Sequence, residues 1–212
     1  MAATLYYIHD PMCSWCWGFA PALTRLLDGL PPHVSVVRLL GGLAPDSQAS
    51  MPHEMRAYLR QTWRDIQQRI PGTKFNFDFW TRCAPRRSTW PACRAVIAAR
   101  RQDPSLDEAI TAAIQRAYYL HARNPSDRDT LIALAGEIGA DTGRFAADLD
   151  SPETRQELER EMTRARHLGV NGFPSLVLDP GDGAARPVPV NYHAPRAMLE
   201  AIAKDGPARR LP

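Results

Sequence analysis

Cys13-Ser14-Trp15-Cys16 follows directly on a short apolar run near the start of the chain. Two thiols at this spacing can face each other across the first turn of a helix, close enough to form a disulfide with little backbone movement. Residues 4–9 are rich in aromatic and β-branched side chains and read as a buried strand. Asp10-Pro11 breaks that strand. From Cys16 onward Phe19, Ala20, Leu23, Leu26, Leu27 and Leu30 recur at helical spacing, until Gly29 and Pro31-Pro32 end the run. The cysteines therefore sit at a strand-to-helix junction. There the free backbone N–H groups and the helix dipole favour an anion, so Cys13 is expected to ionise early and to act as the nucleophile.

The rest of the chain organises around this junction. A second strand fits residues 34–40, followed by a turn at Gly41-Gly42. Apolar stripes then predict helices over 53–70, 90–101, 105–122 and 128–138, with Gly139 as a C-terminal cap. A short helix covers 142–149. Ser151, Pro152 and Glu153 open a further helix that runs to 168. Strand character returns at 175–178, a turn follows at Asp179-Pro180-Gly181-Asp182-Gly183, a short strand fits 187–191 and a terminal helix 195–204. The order predicts an α/β domain divided by a helical insertion: 1–45 and 169–212 form a discontinuous sheet-bearing domain, and 46–168 a helical subdomain. The first two strands are expected to be parallel, joined by a right-handed crossover.

Composition narrows the function classes. The 212 residues carry a net charge of only +3, which points to neither a nucleic-acid nor a membrane partner. The Arg86-Arg87 and Arg100-Arg101 pairs read as solvated surface. No run approaches the roughly 18 apolar residues of a membrane span. No basic region precedes an apolar leader, so a cytoplasmic protein is expected. In a reducing compartment a close cysteine pair is more often catalytic or metal-binding than structural. Zinc would need two further ligands, and the sequence holds no second CxxC and no His-x3-His. Nor does it hold a nucleophile elbow, a Walker loop or a dinucleotide fingerprint.

Late in the chain, Gly172-Phe173-Pro174 stands directly before a strand. Pro belongs at a strand's first residue or edge, and an aromatic-Pro step accepts a cis bond more readily than others. Together with the upstream CxxC, this favours cis over a trans Pro that merely ends the preceding helix. Cys83 and Cys93 show no helical or metal-site regularity and read as free, buried thiols. His9 reads as an edge-of-strand residue with a backbone partner, the alternative being a proton donor to the leaving sulfur. Of Trp15 and Trp17 at least one packs into the core, and Trp15 is a candidate for the substrate rim.

With these motifs in place, the chain resembles the DsbA-like branch of the thioredoxin superfamily. Asp10-Pro11-Met12-Cys13-Ser14-Trp15-Cys16-Trp17-Gly18 is similar to cytosolic FrnE-type DsbA-family proteins. The resemblance implies a thioredoxin fold interrupted by a large all-helical insertion, and a thiol–disulfide oxidoreductase or disulfide isomerase. It implies that Cys13 is the exposed attacking thiolate and Cys16 the resolving thiol. Pro174 would be cis against the pair, with Phe173 offering its backbone to a bound peptide and Trp15 and Met12 beside it as substrate contacts. Ser14-Trp15 lacks the His of strongly oxidising relatives, so a less oxidising disulfide is expected. The partners implied are protein or peptide thiols and disulfides. No metal or organic cofactor is implied; glutathione or a reductase would reset the pair. Two other readings stay open. One is a glutathione-dependent isomerase or transferase, like the kappa-class transferases and 2-hydroxychromene-2-carboxylate isomerases, which use Ser where Cys13 stands. The other is a non-enzymatic redox-sensing binding module.

Overall fold

Residues 3–182 and 184–205 are described by a computed structural model. Strand β1 (Ala3–His9) leads into helix α1 (Ser14–Asp28), and strand β2 (Val34–Leu40) returns parallel to β1, as the crossover rule requires. Strands β3 (Ser175–Asp179) and β4 (Arg186–Val188) complete a four-stranded sheet in the order β2-β1-β3-β4. β3 runs antiparallel to both its neighbours. β4 is shorter than the sequence suggests and starts one residue earlier. Pro187 lies within it and Pro189 follows it, and neither can donate to a ladder, so the strand forms only a short edge.

The sheet is covered on both faces, which explains why β1 is apolar at nearly every position. Successive side chains point to opposite sides. Ala3, Leu5 and Tyr7 pack with Phe19, Ala22 and Leu26 of α1 and with Met198 and Ile202 of α9 (Pro195–Asp205). Tyr6 and Ile8 join Leu39 and Val177 on the other face, against Ala165 of α8 (Pro152–His167). α8 starts as its cap predicts: the Thr154 N–H donates to Ser151 Oγ at 3.1 Å.

Between β2 and α8 stand α2 (His53–Arg69), the one-turn α3 (Phe79–Arg82), α4 (Trp90–Arg100), α5 (Leu106–Tyr119), α6 (Arg128–Glu137) and α7 (Thr142–Leu149). All but α3 were legible as periodic stripes. α4 is buried on every side from Ala92 to Ala99, so it is the axis of this block rather than a one-faced helix. The segment joining α2 to α4 contributes Phe75, Phe77, Phe79 and Trp80, which pack around Trp63 with Tyr118 and Tyr119 of α5. α8 serves both units. Leu158 and Met162 join the helical core while Ala165 meets the sheet.

Arg86 and Arg100 are not the solvated surface that the sequence suggested. Arg86 pairs with Asp127. Arg100 reaches Asp107 at 3.2 Å and Glu157 at 3.1 Å, and also pairs with Glu161. Arg38 of β2 meets the same Asp107 at 2.6 Å. Glu161 in turn accepts the Leu40 N–H at 2.7 Å. This buried network fixes the end of β2, where the chain approaches the cysteines.

Arg100→Leu would leave Glu161 and its neighbours without their cation. Breaking a buried pair from one side costs about 3–5 kcal/mol, and urea unfolding near neutral pH is expected to show a loss of that order. Burial already holds the Glu161 carboxyl above its ordinary value. A carboxyl raised in the folded state costs stability as pH climbs from its unfolded pKa through the folded one. The deficit should therefore shrink when the measurement is repeated near pH 5. A deficit that does not change with pH would contradict this account.

Candidate active site

The thiols sit where β1 turns into α1. Cys13 is the N-cap residue, with extended backbone, and the Trp17 N–H donates to its carbonyl at 3.1 Å. Cys16 lies one turn on, fully buried. Both are free thiols. The turn before them is held by Asp10, itself fully buried. Its Oδ1 accepts the Met12 N–H at 2.8 Å, and its Oδ2 accepts the Leu43 N–H at 2.8 Å and the Thr89 hydroxyl at 2.6 Å. The Cys93 thiol donates to the same Oδ2 at 3.4 Å. The Asp10 carbonyl accepts the Cys13 N–H at 3.0 Å.

The two sulfurs are driven apart in acidity. Cys13 is held below the ordinary thiol value, first because the Cys16 S–H can donate to its thiolate, then because the N–H groups of Cys16 and Trp15 point at it; burial and Asp10 oppose the shift. Cys16 is pushed well above the ordinary value, by burial first and then by the negative charge on Cys13. No cation is among the leading influences on either sulfur. Burial raises the Asp10 carboxyl, although its hydrogen bonds offset part of that rise.

The Phe173–Pro174 bond is cis, as the sequence favoured. The Cys13 thiol donates to the Phe173 carbonyl at 3.5 Å, which brings the late loop against the first turn of α1. The Phe173 ring lies over Gly41, where a Cβ would come within 2.0 Å of it. Only glycine leaves this space. The next residue, Gly42, has φ +62 and needs glycine for its conformation.

Cys13 is less open than the resemblance implied. It exposes only 6% of its surface, because the Phe173 loop covers it. Met12 is 7% exposed, and its side chain packs into the helical core, so it offers little surface to a substrate. Trp15 is half-buried, its ring 5.7 Å from that of Tyr192 and beneath the Arg69 guanidinium. Trp17 stacks on Tyr119 and donates to the Lys74 carbonyl at 3.0 Å. His9 ends β1, as expected, but neither ring nitrogen finds a hydrogen-bond partner. The ring stacks on Tyr7, and burial, reinforced by Arg38 and Arg100, pushes its pKa well below the ordinary value, so it stays neutral. Cys93 is buried beside Asp10, whereas Cys83 is half-buried and donates to the Ala122 carbonyl at 3.0 Å. Among the described residues no group of His, Cys, Asp and Glu is assembled to hold a metal.

Sequence reasoning missed the aromatic residues that hold the motif from distant parts of the chain. The Trp63 indole donates to Ser14 Oγ at 3.0 Å, and the Tyr119 hydroxyl to the Met12 carbonyl at 2.7 Å. Tyr192 packs on Trp15 and Phe19, and both sulfurs raise its pKa after burial does. None stands near the motif in sequence, so only a general preference for aromatic cores could have pointed to them.

In the reduced protein, iodoacetamide labelling read by mass spectrometry should modify Cys13 with a pH midpoint below the ordinary thiol value of about 8.5, leaving Cys16 and Cys93 unlabelled. Equal labelling of Cys13 and Cys16 would contradict the geometry. Gly41→Ala should cost about 1–3 kcal/mol in chemical denaturation through overpacking against Phe173. An unchanged midpoint would mean that the ring has room to move.

Comparison with known proteins places the fold. A protein from Nitrosomonas europaea, provisionally assigned as a protein disulfide isomerase, superposes with a TM-score of 0.83 at 28% identity, covering 96% of this chain and 98% of its own. The cytosolic disulfide reductase DsbM from Pseudomonas aeruginosa superposes with a TM-score of 0.76 at 28% identity, covering 95% of this chain and 98% of its own; it has also been solved with glutathione. The ClpXP adapter protein SpxH of Halalkalibacterium halodurans is 23% identical over 205 residues, which is 95% of this chain and 66% of that protein. The chain thus spans less than two thirds of the length of that curated relative. Residues 5–191 match the family described as the DSBA-like thioredoxin domain, and the chain belongs to that family.

Proposed function

We propose that this protein is a thiol–disulfide oxidoreductase that reduces or rearranges disulfides in protein or peptide substrates, in the cytoplasm. The observation that carries the reading is the opposed acidity of two thiols one helical turn apart, the more acidic at the helix N-terminus. The membership of the DSBA-like family and the likeness to a cytosolic disulfide reductase support it. The sheet-bearing unit (1–45 and 169–212) supplies the thiols and the helical unit (46–168) the walls of the site.

In this mechanism the Cys13 thiolate attacks one sulfur of a substrate disulfide. The substrate S–S bond breaks, a Cys13–substrate mixed disulfide forms, and one substrate thiolate leaves and takes up a proton. Cys16 then gives up its proton and attacks Cys13 Sγ. The internal Cys13–Cys16 disulfide forms and the second substrate thiolate departs. Raised acidity at Cys13 makes it both a populated nucleophile and a good leaving group. The suppressed acidity of Cys16 keeps it protonated until the mixed disulfide removes the Cys13 charge. Two electrons from glutathione restore the dithiol; the likeness to a reductase solved with glutathione supports that choice. When a second thiolate of the substrate, rather than Cys16, attacks the mixed disulfide, a new substrate disulfide forms, the Cys13 thiolate is released and the outcome is isomerisation. In this reading Pro174, next to the Phe173 carbonyl that meets Cys13, brings no N–H to compete for the thiolate, and the Phe173 backbone and the Trp15 ring serve as the substrate rim.

A second reading rests on the match to proteins named as ClpXP adapters. Under it the chain is a binding module whose thiols sense redox state without turnover. Insulin reduction with glutathione as electron donor separates the two. Under the oxidoreductase reading Cys13→Ser lowers the rate to the uncatalysed background, and Cys16→Ser accumulates a mixed disulfide visible on a non-reducing gel. Background-level reduction by the native protein would sink that reading in favour of the module.

A further inference from the structure

A cleft of about 500 Å³ opens along α1, one helical turn below Cys13. Its floor is apolar, made by Trp17, Pro21, Ile70, Leu120 and Tyr192. Its rim carries Arg25 and Lys74, with His193 as a further donor, and no carboxylate lines it. Among the described residues none of these three side chains is engaged in an ion pair. The Arg25 Nε donates only to the Pro21 carbonyl of its own helix. By contrast, Arg38, Arg86, Arg94 and Arg100 all face carboxylates. Tyr192 links the cleft to the cysteine motif: it lines the cleft and packs on Trp15, which stands between Cys13 and Cys16.

The wall supplies a backbone acceptor as well. Pro21 lies inside α1 and has no N–H, so the carbonyl of Trp17, four residues earlier, receives no helical bond from it. From Trp17 to Arg25 the helix rises about 12 Å, the reach of about four residues of extended chain. The volume lies in the range of sites that enclose a ligand of several residues or a drug-sized molecule.

We propose that this cleft docks an acidic, apolar segment of a protein substrate, lying in the chain beside the disulfide that the thiols attack. It deepens the oxidoreductase reading and rests on it for the identity of the substrate. The apolar floor takes an aromatic or aliphatic side chain, Arg25 and Lys74 take carboxylates, and the Trp17 carbonyl takes a backbone N–H. The site thus selects substrates by charge, at a distance from the reacting sulfur.

Equilibrium titration tests this without turnover. The probes are a short peptide with Phe and Glu residues around a Ser in the reacting position, and its twin with Lys for Glu. Trp fluorescence is the readout. The acidic peptide should bind about tenfold tighter than the basic one, as two exposed ion pairs allow, with the gap narrowing in salt. Arg25→Glu/Lys74→Glu should abolish or invert the preference. Equal binding of the two peptides, or a preference that survives the double variant, would overturn the proposal. Turnover of the neutral hydroxyethyl disulfide should be the same in both proteins; a drop in the variant would mean that the charges act on the thiols rather than on docking. If the native protein turns over no disulfide at all, the oxidoreductase reading fails, while the peptide titration still decides the charge preference.

Discussion

A single buried carboxylate holds the strand-to-helix turn in place. Asp10 receives hydrogen bonds from the backbone of its own turn at Met12, from the loop after β2 at Leu43, and from the start of α4 through Thr89 and Cys93. Two segments far apart in sequence, the loop after β2 and the start of α4, are thereby tied to the residues just before Cys13. A buried carboxylate without partners would cost several kcal/mol or become neutral. Here four donors meet two oxygens, and they outlast any one side-chain rearrangement. The position of Cys13 at the helix N-terminus, and its access to the N–H groups beyond it, follow from this tether.

The helical block does more than cover the sheet. Trp63 and Tyr119, at the centre of an aromatic cluster, each direct a polar hydrogen at the motif, one to Ser14 and one to the Met12 carbonyl. From the opposite side, the Phe173 loop closes on Cys13 and packs over Gly41, at the end of the strand anchored by Glu161. The thiols are therefore clamped between two units that approach from different parts of the chain. This clamping explains why Cys13 is nearly covered. In the exchange proposed above, the substrate backbone displaces the Phe173 carbonyl from the sulfur, and the loop offers it an edge for strand-like pairing.

The fold was legible where a local pattern carried it. Apolar periodicity placed α1, α2, α4, α5 and α6, β-branched and aromatic runs between turn signals placed the strands, and the Ser151-Pro152-Glu153 start of α8 fixed its boundary. The cysteine pair and the Phe173–Pro174 step pointed to one another although 160 residues separate them. What stayed hidden depended on tertiary partners. α3 is too short to show a period. α4 was legible as a helix, but its burial on every side, as the axis of the block, was not. Arg86 and Arg100 look like solvated charge until Asp127 and Glu161 are brought to them by folding. The missing partner of His9 stayed hidden because what surrounds its ring depends on the strand order and on Arg38 and Arg100, none of which is written in β1 itself.

The central claim is that Cys13 and Cys16 form one redox couple whose thiolate is stabilised by backbone N–H groups and its partner's S–H, without help from a cation. The most direct test is the reduction potential of this couple, measured by equilibration against glutathione buffers. The account predicts a value between about −270 mV, as in thioredoxin, and about −120 mV, as in the strongly oxidising DsbA. A potential as high as the latter would mean that a positive charge outside this geometry stabilises the thiolate. Failure of the two sulfurs to bond at any buffer ratio would contradict the account outright.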